Sequence, residues 1–226
     1  MLIRDWMAKD VMTVDENTSL MRATRIMKEN SIRRLPVVSH GKLIGIVTDR
    51  DVKDASPSKT TSLDIHELYY LLSEMKVKDV MTSSPLTLQG DETLEKAAIV
   101  MLKSKISGLP VVDQSNHLIG LLSETDVLKG FIHMTGLQDG AYQFVLDLPD
   151  EPGSVTKVVQ IFRDHKTRTI SILTSFEDAS EGFKRVALRV VADDEDELQK
   201  LADNIKNNYT VVYFGKDDLS KLPLKK

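Results

Sequence analysis

Hydrophobic residues in the first 130 positions fall into short apolar runs and helical stripes that occur twice in the same order. Apolar runs at 35–38 and 43–47 are repeated at 109–112 and 118–122, and polar clusters bound each run. Runs of this length and setting are typical of β-strands. Before each pair of runs, apolar positions three and four residues apart predict a helix. These positions are Leu20, Ala23 and Met27 in the first copy and Leu94, Ala97, Ala98, Met101 and Leu102 in the second.

The repetition extends to identical sequence blocks. The spacing between matching blocks drifts from 69 to 75 residues, which predicts small insertions between the copies. Three such blocks in one order indicate an internal duplication. The blocks are KDVMT at 9–13 and 78–82, LPVV at 35–38 and 109–112, and LIGIVTDRDVK at 43–53 with LIGLLSETDVLK at 118–129.

Each copy is predicted as a β-α-β-β-α unit. Asn17 or Thr18 is expected to cap the helix of the first copy, and Asp91 or Thr93 that of the second. A unit of about 50 residues buries too little surface to be stable alone. We therefore expect the two copies to pack face to face, with two equivalent clefts between them.

The pattern changes after His133 and predicts a βαββαβ order, which is ferredoxin-like. The predicted fold class is therefore α+β. The predicted strands span 142–148, 169–175, 186–191 and 209–214, with helical stripes at Val155, Val158, Val159, Phe162 and at Leu198, Leu201, Ala202, Ile205. The predicted domains are repeat 1 (1–60), a connecting helix (61–76), repeat 2 (77–134), a linker (135–140), the C-terminal domain (141–216) and a tail (217–226).

Composition narrows the classes of function. The net charge of −4 gives no concentrated basic face for nucleic acid. The chain has no cysteine, which excludes disulfides and thiolate metal sites. There is no signal-peptide pattern and no apolar run near the ~20 residues that span a membrane. We expect a cytoplasmic protein without a membrane partner.

The candidate chemistry lies where the second strand of each hairpin runs into a helix. Thr48 and Ser123 stand at the helix start, beside backbone N–H groups that favour an anion. Asp51 and Asp126 follow one turn later, where a carboxylate can accept both hydroxyls of a ribose. The alternative is purely structural: a helix cap followed by a first-turn acid.

These blocks resemble tandem CBS domains over about residues 7–133. The resemblance rests on the two LPVV strands and on the pattern of glycine, two apolar residues, Thr or Ser, two variable residues and Asp at 45–51 and 120–126. It implies that AMP, ADP, ATP or S-adenosylmethionine binds as a regulatory ligand, with no catalytic cofactor. The candidate residues are Thr13, Val14, Arg33, Arg34, Leu35, Pro36, Thr48, Arg50 and Asp51, and Thr82, Pro85, Ser107, Gly108, Leu109, Pro110, Ser123, Thr125 and Asp126.

The two candidate sites differ in charge. Arg33, Arg34 and Arg50 lie near the first signature, and arginine binds phosphate bidentately. We therefore expect the first site to prefer a phosphorylated nucleotide. The second site, with Ser107, Gly108 and Thr125 at the matching places, suits less charged ligands unless arginines reach across from the first repeat. The alternative for Arg33 and Arg34 is simple surface solvation.

The turn LPDEPGS at 148–154 resembles that of an ACT domain, a resemblance that covers about residues 141–215. It implies an amino acid bound near Asp150, Pro152, Gly153, Ser154 and Val155. One alternative is a domain that only mediates assembly. In that case Gly153 only permits a tight turn. A CBS pair followed by an ACT domain resembles the acetoin-utilisation (AcuB-like) regulatory proteins. That family implies control of a metabolic partner, which the sequence does not name.

No catalytic or metal motif is found in the sequence. There is no locally supported Ser–His–Asp set, no phosphate loop and no zinc spacing, and the adjacent His66 and Glu67 lack ligand spacing. The chain is therefore predicted to be a non-enzymatic sensor that forms a homodimer. Two alternatives stay open: a ligand-free assembly scaffold, and a small enzyme that uses the bound nucleotide.

Overall fold

The computed structural model describes residues 1–56, 65–139, 141–177 and 179–222. The chain divides into two compact units, Met1–Gly130 and Phe131–Lys226, and each is described by itself. The junction between the predicted repeat 1 and the predicted connecting helix, residues 57–64, lies outside the described residues.

The first unit contains two copies of a helix, an antiparallel hairpin and a second helix. In each copy the second strand runs directly into the second helix. The first copy has α1 (Leu20–Glu29), β1 (Arg34–Ser39), β2 (Lys42–Thr48) and α2 (Asp49–Ala55). Helix α3 (Ile65–Glu74) and the short strand β3 (Thr82–Ser83) follow. The second copy has β4 (Leu88–Gln89), α4 (Leu94–Ser104), β5 (Gly108–Val112), β6 (Leu118–Ser123) and α5 (Glu124–Thr135).

The segments that lead into the two repeats are exchanged. The backbone N–H of Ile3 donates to Glu92 O at 2.9 Å, and the N–H of Val77 donates to Thr18 O, also at 2.9 Å. Strand β3 pairs with β2 of the first repeat, and Ala8 pairs with Leu121 in β6 of the second. Residues 2–8, which precede repeat 1 in the chain, therefore pack on repeat 2.

The exchange completes each core. Val77, which follows α3, is fully buried in the cluster that contains Leu20, Leu35 and Val47 of the first repeat. Ile3 is likewise fully buried, with its backbone bonded to the loop before α4. A repeat of this size has too little apolar surface of its own, so each repeat takes part of its core from the segment that precedes the other.

The sequence alignment of the two KDVMT blocks is wrong in structural terms. Ile3 and Val77 make the same contacts 74 positions apart, as do the starts of β1 and β5 at Arg34 and Gly108. The offset between equivalent residues of the two repeats is therefore nearly constant at 74 positions, and the offset of 69 between the KDVMT blocks is not a structural one. The structural counterpart of Met7 is Met81, which lies within the second KDVMT block.

The helix predictions are confirmed with two exceptions. Leu20, Ala23 and Met27 are buried in α1, as are Leu94, Ala97 and Met101 in α4. Leu102, however, is 75% exposed, because it lies on the outer edge of the stripe. Thr93 caps α4 as predicted, whereas Ser19 caps α1 in place of Asn17 or Thr18. Ser19 is the residue directly before the first helical turn, where a hydroxyl reaches the third N–H.

The second unit confirms the predicted ferredoxin-like order. Its four-stranded antiparallel sheet has the strand order β10-β7-β9-β8, with both helices supplying residues to one core that includes Phe144, Phe162 and Leu201. The elements are β7 (Tyr142–Pro149), α6 (Ser154–Asp164), β8 (Arg168–Ser175), β9 (Phe183–Val191), α7 (Glu195–Asn208) and β10 (Thr210–Lys216).

Truncation of the exchanged segment tests its role in the first unit. Ile3→Ala should lower the free energy of unfolding by about 2–5 kcal/mol, because a fully buried side chain is replaced by a cavity. Arg4→Ala, at the exposed neighbouring position, should change it by less than about 0.5 kcal/mol. Urea denaturation measures both. Equal losses in the two variants would contradict the exchanged core.

Candidate functional site

The first strand-to-helix turn holds Thr48 and Asp51 in a closed hydrogen-bonded ring. Asp51 Oδ2 accepts from the backbone N–H of Thr48 and from its hydroxyl, both at 2.7 Å. In return the N–H of Asp51 donates to Thr48 Oγ1 at 3.3 Å. This is a capping box, so the structural reading of the motif is correct for this turn. The hydrogen-bonded ring also fixes the carboxylate of Asp51 and leaves its Oδ1 atom outside the ring.

The second turn repeats the same geometry. Asp126 Oδ2 accepts from Ser123 N at 2.9 Å and from Ser123 Oγ at 2.6 Å. The N–H of Asp126 donates to Ser123 Oγ at 3.3 Å. Lys129 Nζ lies 4.0 Å from the other carboxylate oxygen. Both signatures therefore present a preoriented, half-buried carboxylate, and capping does not exclude ligand binding through the remaining oxygen.

Most candidate residues of each repeat gather around its turn. Arg34 pairs with Thr48 across the hairpin, and Gly108 pairs with Ser123. Val14 forms a parallel bridge with Val37, which places the exposed Thr13 beside Pro36 in β1. The strand residues Leu35, Pro36, Leu109 and Pro110 are buried, while Arg50 and Thr125 are exposed on the first turns of α2 and α5.

Thr82 and Pro85 do not join the second repeat's candidates. Thr82 pairs with Ile46 in β2 of the first repeat, and the next residue but one, Ser84, donates to Ile44 O at 3.1 Å. The KDVMT blocks align Thr82 with Thr13, but these blocks are not structurally equivalent. Because the leading segments are exchanged, Thr82 and Pro85 run along the first repeat.

The signature glycines serve this exchange. A Cβ atom at Gly45 would overlap the sulfur of Met81, and one at Gly120 would overlap the sulfur of Met7. The carbonyl oxygens of Thr82 and Ala8 would also be close, at 3.2 and 3.0 Å. The glycine of each signature therefore makes room for the segment that crosses from the other repeat. Sequence reasoning missed Met7, Ala8 and Met81, although the glycine itself was the available signal.

The side chains of Arg33 and Arg34 point in different directions at the start of β1. Arg33 lines an outer cleft of about 400 Å³ between α1 and α2. Arg34 instead reaches the second repeat, so the structure does not bring the two together as one phosphate clamp. Adjacent residues at the start of a strand point to opposite faces. The outer cleft is lined by Thr24, Met27, Lys28, Ser31, Ile32, Arg33, Asp49, Val52 and Lys53.

The guanidinium of Arg34 rests on the backbone of the second repeat. Arg34 Nη2 donates to Ser107 Oγ at 2.8 Å, and a Cβ at Gly108 would overlap the guanidinium. Burial lowers the pKa of Arg34, and the charge of Arg33 lowers it further. Asp49, Glu124 and Asp126 oppose this shift, so the positive charge lies close to carboxylates of both signatures.

The turn of the second unit has one unusual polar group. Gly153 has φ +82° and precedes α6, with open space where a Cβ would stand. Ser154 is only 9% exposed, and its Oγ has no hydrogen-bond partner among the described residues. Asp150 pairs with Lys184 at 3.2 Å, Pro152 is exposed and Val155 packs on the core.

Among the residues that the structure describes, no three metal-binding side chains of His, Cys, Asp or Glu type are clustered. Within the same residues, every helix is too short or too polar to cross a bilayer.

The model of the CBS domain matches residues 3–58 and 77–133, which is half of the chain. The chain therefore belongs to the CBS domain family. A CBS domain-containing protein of Dictyostelium discoideum is 34% identical over 128 residues, covering 56% of this chain and 88% of that protein. Several longer relatives, enzymes among them, are matched over only about a quarter of their length.

Solved structures agree with this assignment. An acetoin utilization protein, AcuB, from Vibrio cholerae is 28% identical, with a TM-score of 0.51, and the match covers 62% of this chain and 96% of that one. The CBS-pair protein CBSX2 from Arabidopsis thaliana is 31% identical, with a TM-score of 0.50, and the match covers 58% and 94%. CBSX2 has also been crystallised in complex with AMP.

Substitution of a signature glycine should destabilise the first unit. Gly120→Ala is expected to cost about 1–3 kcal/mol, because the new methyl group overlaps Met7 and crowds Ala8 O. In a Met7→Ala background the cost of Gly120→Ala should be smaller, since the overlapping sulfur is gone. A double-mutant cycle in urea measures this coupling. Additive effects would show that the glycine is not there for the crossing segment.

Proposed function

We propose that this protein is a regulatory sensor that binds an adenosine compound at the turns of its paired CBS repeats. This proposal rests on the observation that Thr48 with Asp51 and Ser123 with Asp126 form the same hydrogen-bonded ring. Each ring leaves one oriented carboxylate oxygen outside it for a ligand. That oxygen accepts from the ribose hydroxyls, and the apolar strands beside it hold the base. Membership of the CBS family supports AMP, ADP, ATP or S-adenosylmethionine as the ligand.

A sensor also needs two states that the ligand distinguishes. The exchanged segments make the two repeats one cooperative body, since each repeat's core includes residues that precede the other. A ligand held at one turn therefore acts on packing in both repeats. Binding that is tighter to one arrangement shifts the population toward it and alters what a protein partner contacts.

Loss of the signature carboxylates should weaken the ligand. Asp51→Asn and Asp126→Asn should each cost about 1.5–3 kcal/mol of binding, or roughly tenfold or more in Kd, because a charge-assisted bond is lost. A thermal-shift screen first identifies the ligand, since a ligand at about 100 times its Kd adds about 2.7 kcal/mol to the free energy of unfolding. Calorimetry with AMP, ADP, ATP and S-adenosylmethionine then measures the change in Kd.

The control for these variants separates capping from binding. Asp79 accepts from the N–H of Lys76 at 2.9 Å in the same type of cap, outside the candidate site. Asp79→Asn should therefore reduce stability without changing Kd. Wild-type affinity in the double variant Asp51→Asn/Asp126→Asn would sink the assignment and leave an assembly scaffold as the better reading.

We further propose that the second unit is an ACT domain that takes an amino acid at the turn around Gly153. The ferredoxin-like topology and the left-handed Gly153 support this reading, as does Ser154 Oγ, which has no hydrogen-bond partner in the described part of the chain. The likeness of the first unit to AcuB supports a role in acetoin or related carbon metabolism. Control of a metabolic partner and a cytoplasmic location remain predictions.

A homodimer is also proposed, through the outer face of the second repeat. Ile99 and Leu102 on α4 are 53% and 75% exposed, three residues apart on one face. Arg25 and Lys28 stand at the equivalent positions of α1, 74 residues earlier. Two exposed aliphatic side chains in place of two cations indicate a surface that another copy covers.

Charge placed on this face should dissociate the dimer. Ile99→Lys/Leu102→Lys gives the face of α4 the charge that α1 carries, and we expect a monomer by sedimentation velocity. Met21→Lys, at an exposed methionine of α1, is the matched control and should leave the assembly intact. A dimer that persists in the double variant would exclude this face as the interface.

A further inference from the structure

We infer that Arg34, a residue of the first repeat, selects for phosphate at the site of the second repeat. This inference rests on the proposed nucleotide-binding function and assigns one of its determinants. Arg34 is the first residue of β1, and its structural counterpart in the second repeat is Gly108, the first residue of β5. The two equivalent positions meet where the repeats face each other, and only one of them carries a side chain.

The side chain of Arg34 crosses because Gly108 leaves room for it. Any Cβ at position 108 would overlap the guanidinium, which lies directly on that backbone. Beyond Gly108, Nη2 donates to Ser107 Oγ at 2.8 Å. The carbonyl of Ser107 accepts from the N–H of Glu124 at 3.1 Å, and Glu124 is the first residue of α5 within the second signature. The arginine is thereby fixed beside the second turn.

The guanidinium keeps most of its hydrogen-bonding capacity. Arginine has five N–H donors in a planar fork, and the bond to Ser107 is the one that Arg34 makes within the described parts of the chain. The group is half-buried, and water is partly removed from it. A partly desolvated guanidinium with free donors binds phosphate bidentately and more strongly than an exposed lysine does.

The charges around the second turn explain why such a residue is needed there. Among the carboxylates, Asp49 of the first repeat raises the pKa of Arg34 most, and Glu124 and Asp126 of the second repeat raise it as well. A phosphate next to two carboxylates is repelled unless a cation stands between them. Arg34 supplies that cation to the second repeat, whereas Arg33 lines the outer cleft of the first. The phosphate preference expected for the first site therefore belongs to the second.

The test compares AMP with adenosine, which differ by the phosphate alone. Asp51→Asn isolates the second repeat's site, and Asp126→Asn isolates the first. Adding Arg34→Gln to the Asp51→Asn protein should weaken AMP by roughly tenfold to a hundredfold, with adenosine affinity unchanged within about twofold. Adding it to the Asp126→Asn protein should change neither ligand. Calorimetry at low and high salt measures the affinities, and the AMP affinity should lose its salt dependence with Arg34.

Two further variants complete the test. Gly108→Ala displaces the guanidinium without removing its charge, so in the Asp51→Asn background it should also weaken AMP more than adenosine. Arg25→Gln removes one exposed cation of the same repeat and should leave the ratio of the two affinities unchanged. Unaltered adenosine affinity shows that a variant is folded.

The possible failures are distinct. If the wild-type protein binds neither adenosine nor AMP, the proposed function is wrong and this inference is overturned with it. If both bind and Arg34→Gln leaves their ratio unchanged, only the inference about Arg34 is wrong. If AMP is weakened in the Asp126→Asn background instead, Arg34 serves its own repeat, and the assignment across the repeats is overturned.

Discussion

The first unit depends on the exchange of the segments that precede its two repeats. Ile3 and Val77 are fully buried, each beside the helix of the repeat that it does not lead into along the chain. A repeat of about 50 residues cannot bury enough apolar surface by itself. In the exchange, each core is completed by the segment that leads into the other repeat. The signature glycines Gly45 and Gly120 leave room for these crossing segments.

The same constraint shapes the candidate sites. Because the repeats are locked face to face, a side chain at the start of one hairpin reaches the other, as Arg34 does over Gly108. A duplication would otherwise give two equal sites. Among the differences in charge between the repeats, the arginine-to-glycine difference at positions 34 and 108 is the one that places the positive group of one repeat at the signature of the other.

Structural and functional readings of the signature turns are compatible here. Asp51 and Asp126 cap helices through Oδ2, and this bond holds each carboxylate in one rotamer. A preoriented acceptor loses less entropy when a ligand binds. In the proposed sensor the cap prepares the site, and one short motif serves both purposes in each repeat.

The sequence by itself determined the duplication, the helical stripes, the hairpins, the βαββαβ order of the second unit and the two signatures. These follow from periodicity and local capping chemistry, which act over a few residues. Only the tertiary structure decided which residues of the two repeats are equivalent around the KDVMT blocks and where Thr82 and Pro85 lie. It also decided that the side chains of Arg33 and Arg34 point in different directions. Those outcomes depend on contacts between residues about 74 positions apart. No local pattern encodes which repeat a leading segment will pack against, because each repeat offers it the same features, a signature glycine and the second strand of a hairpin.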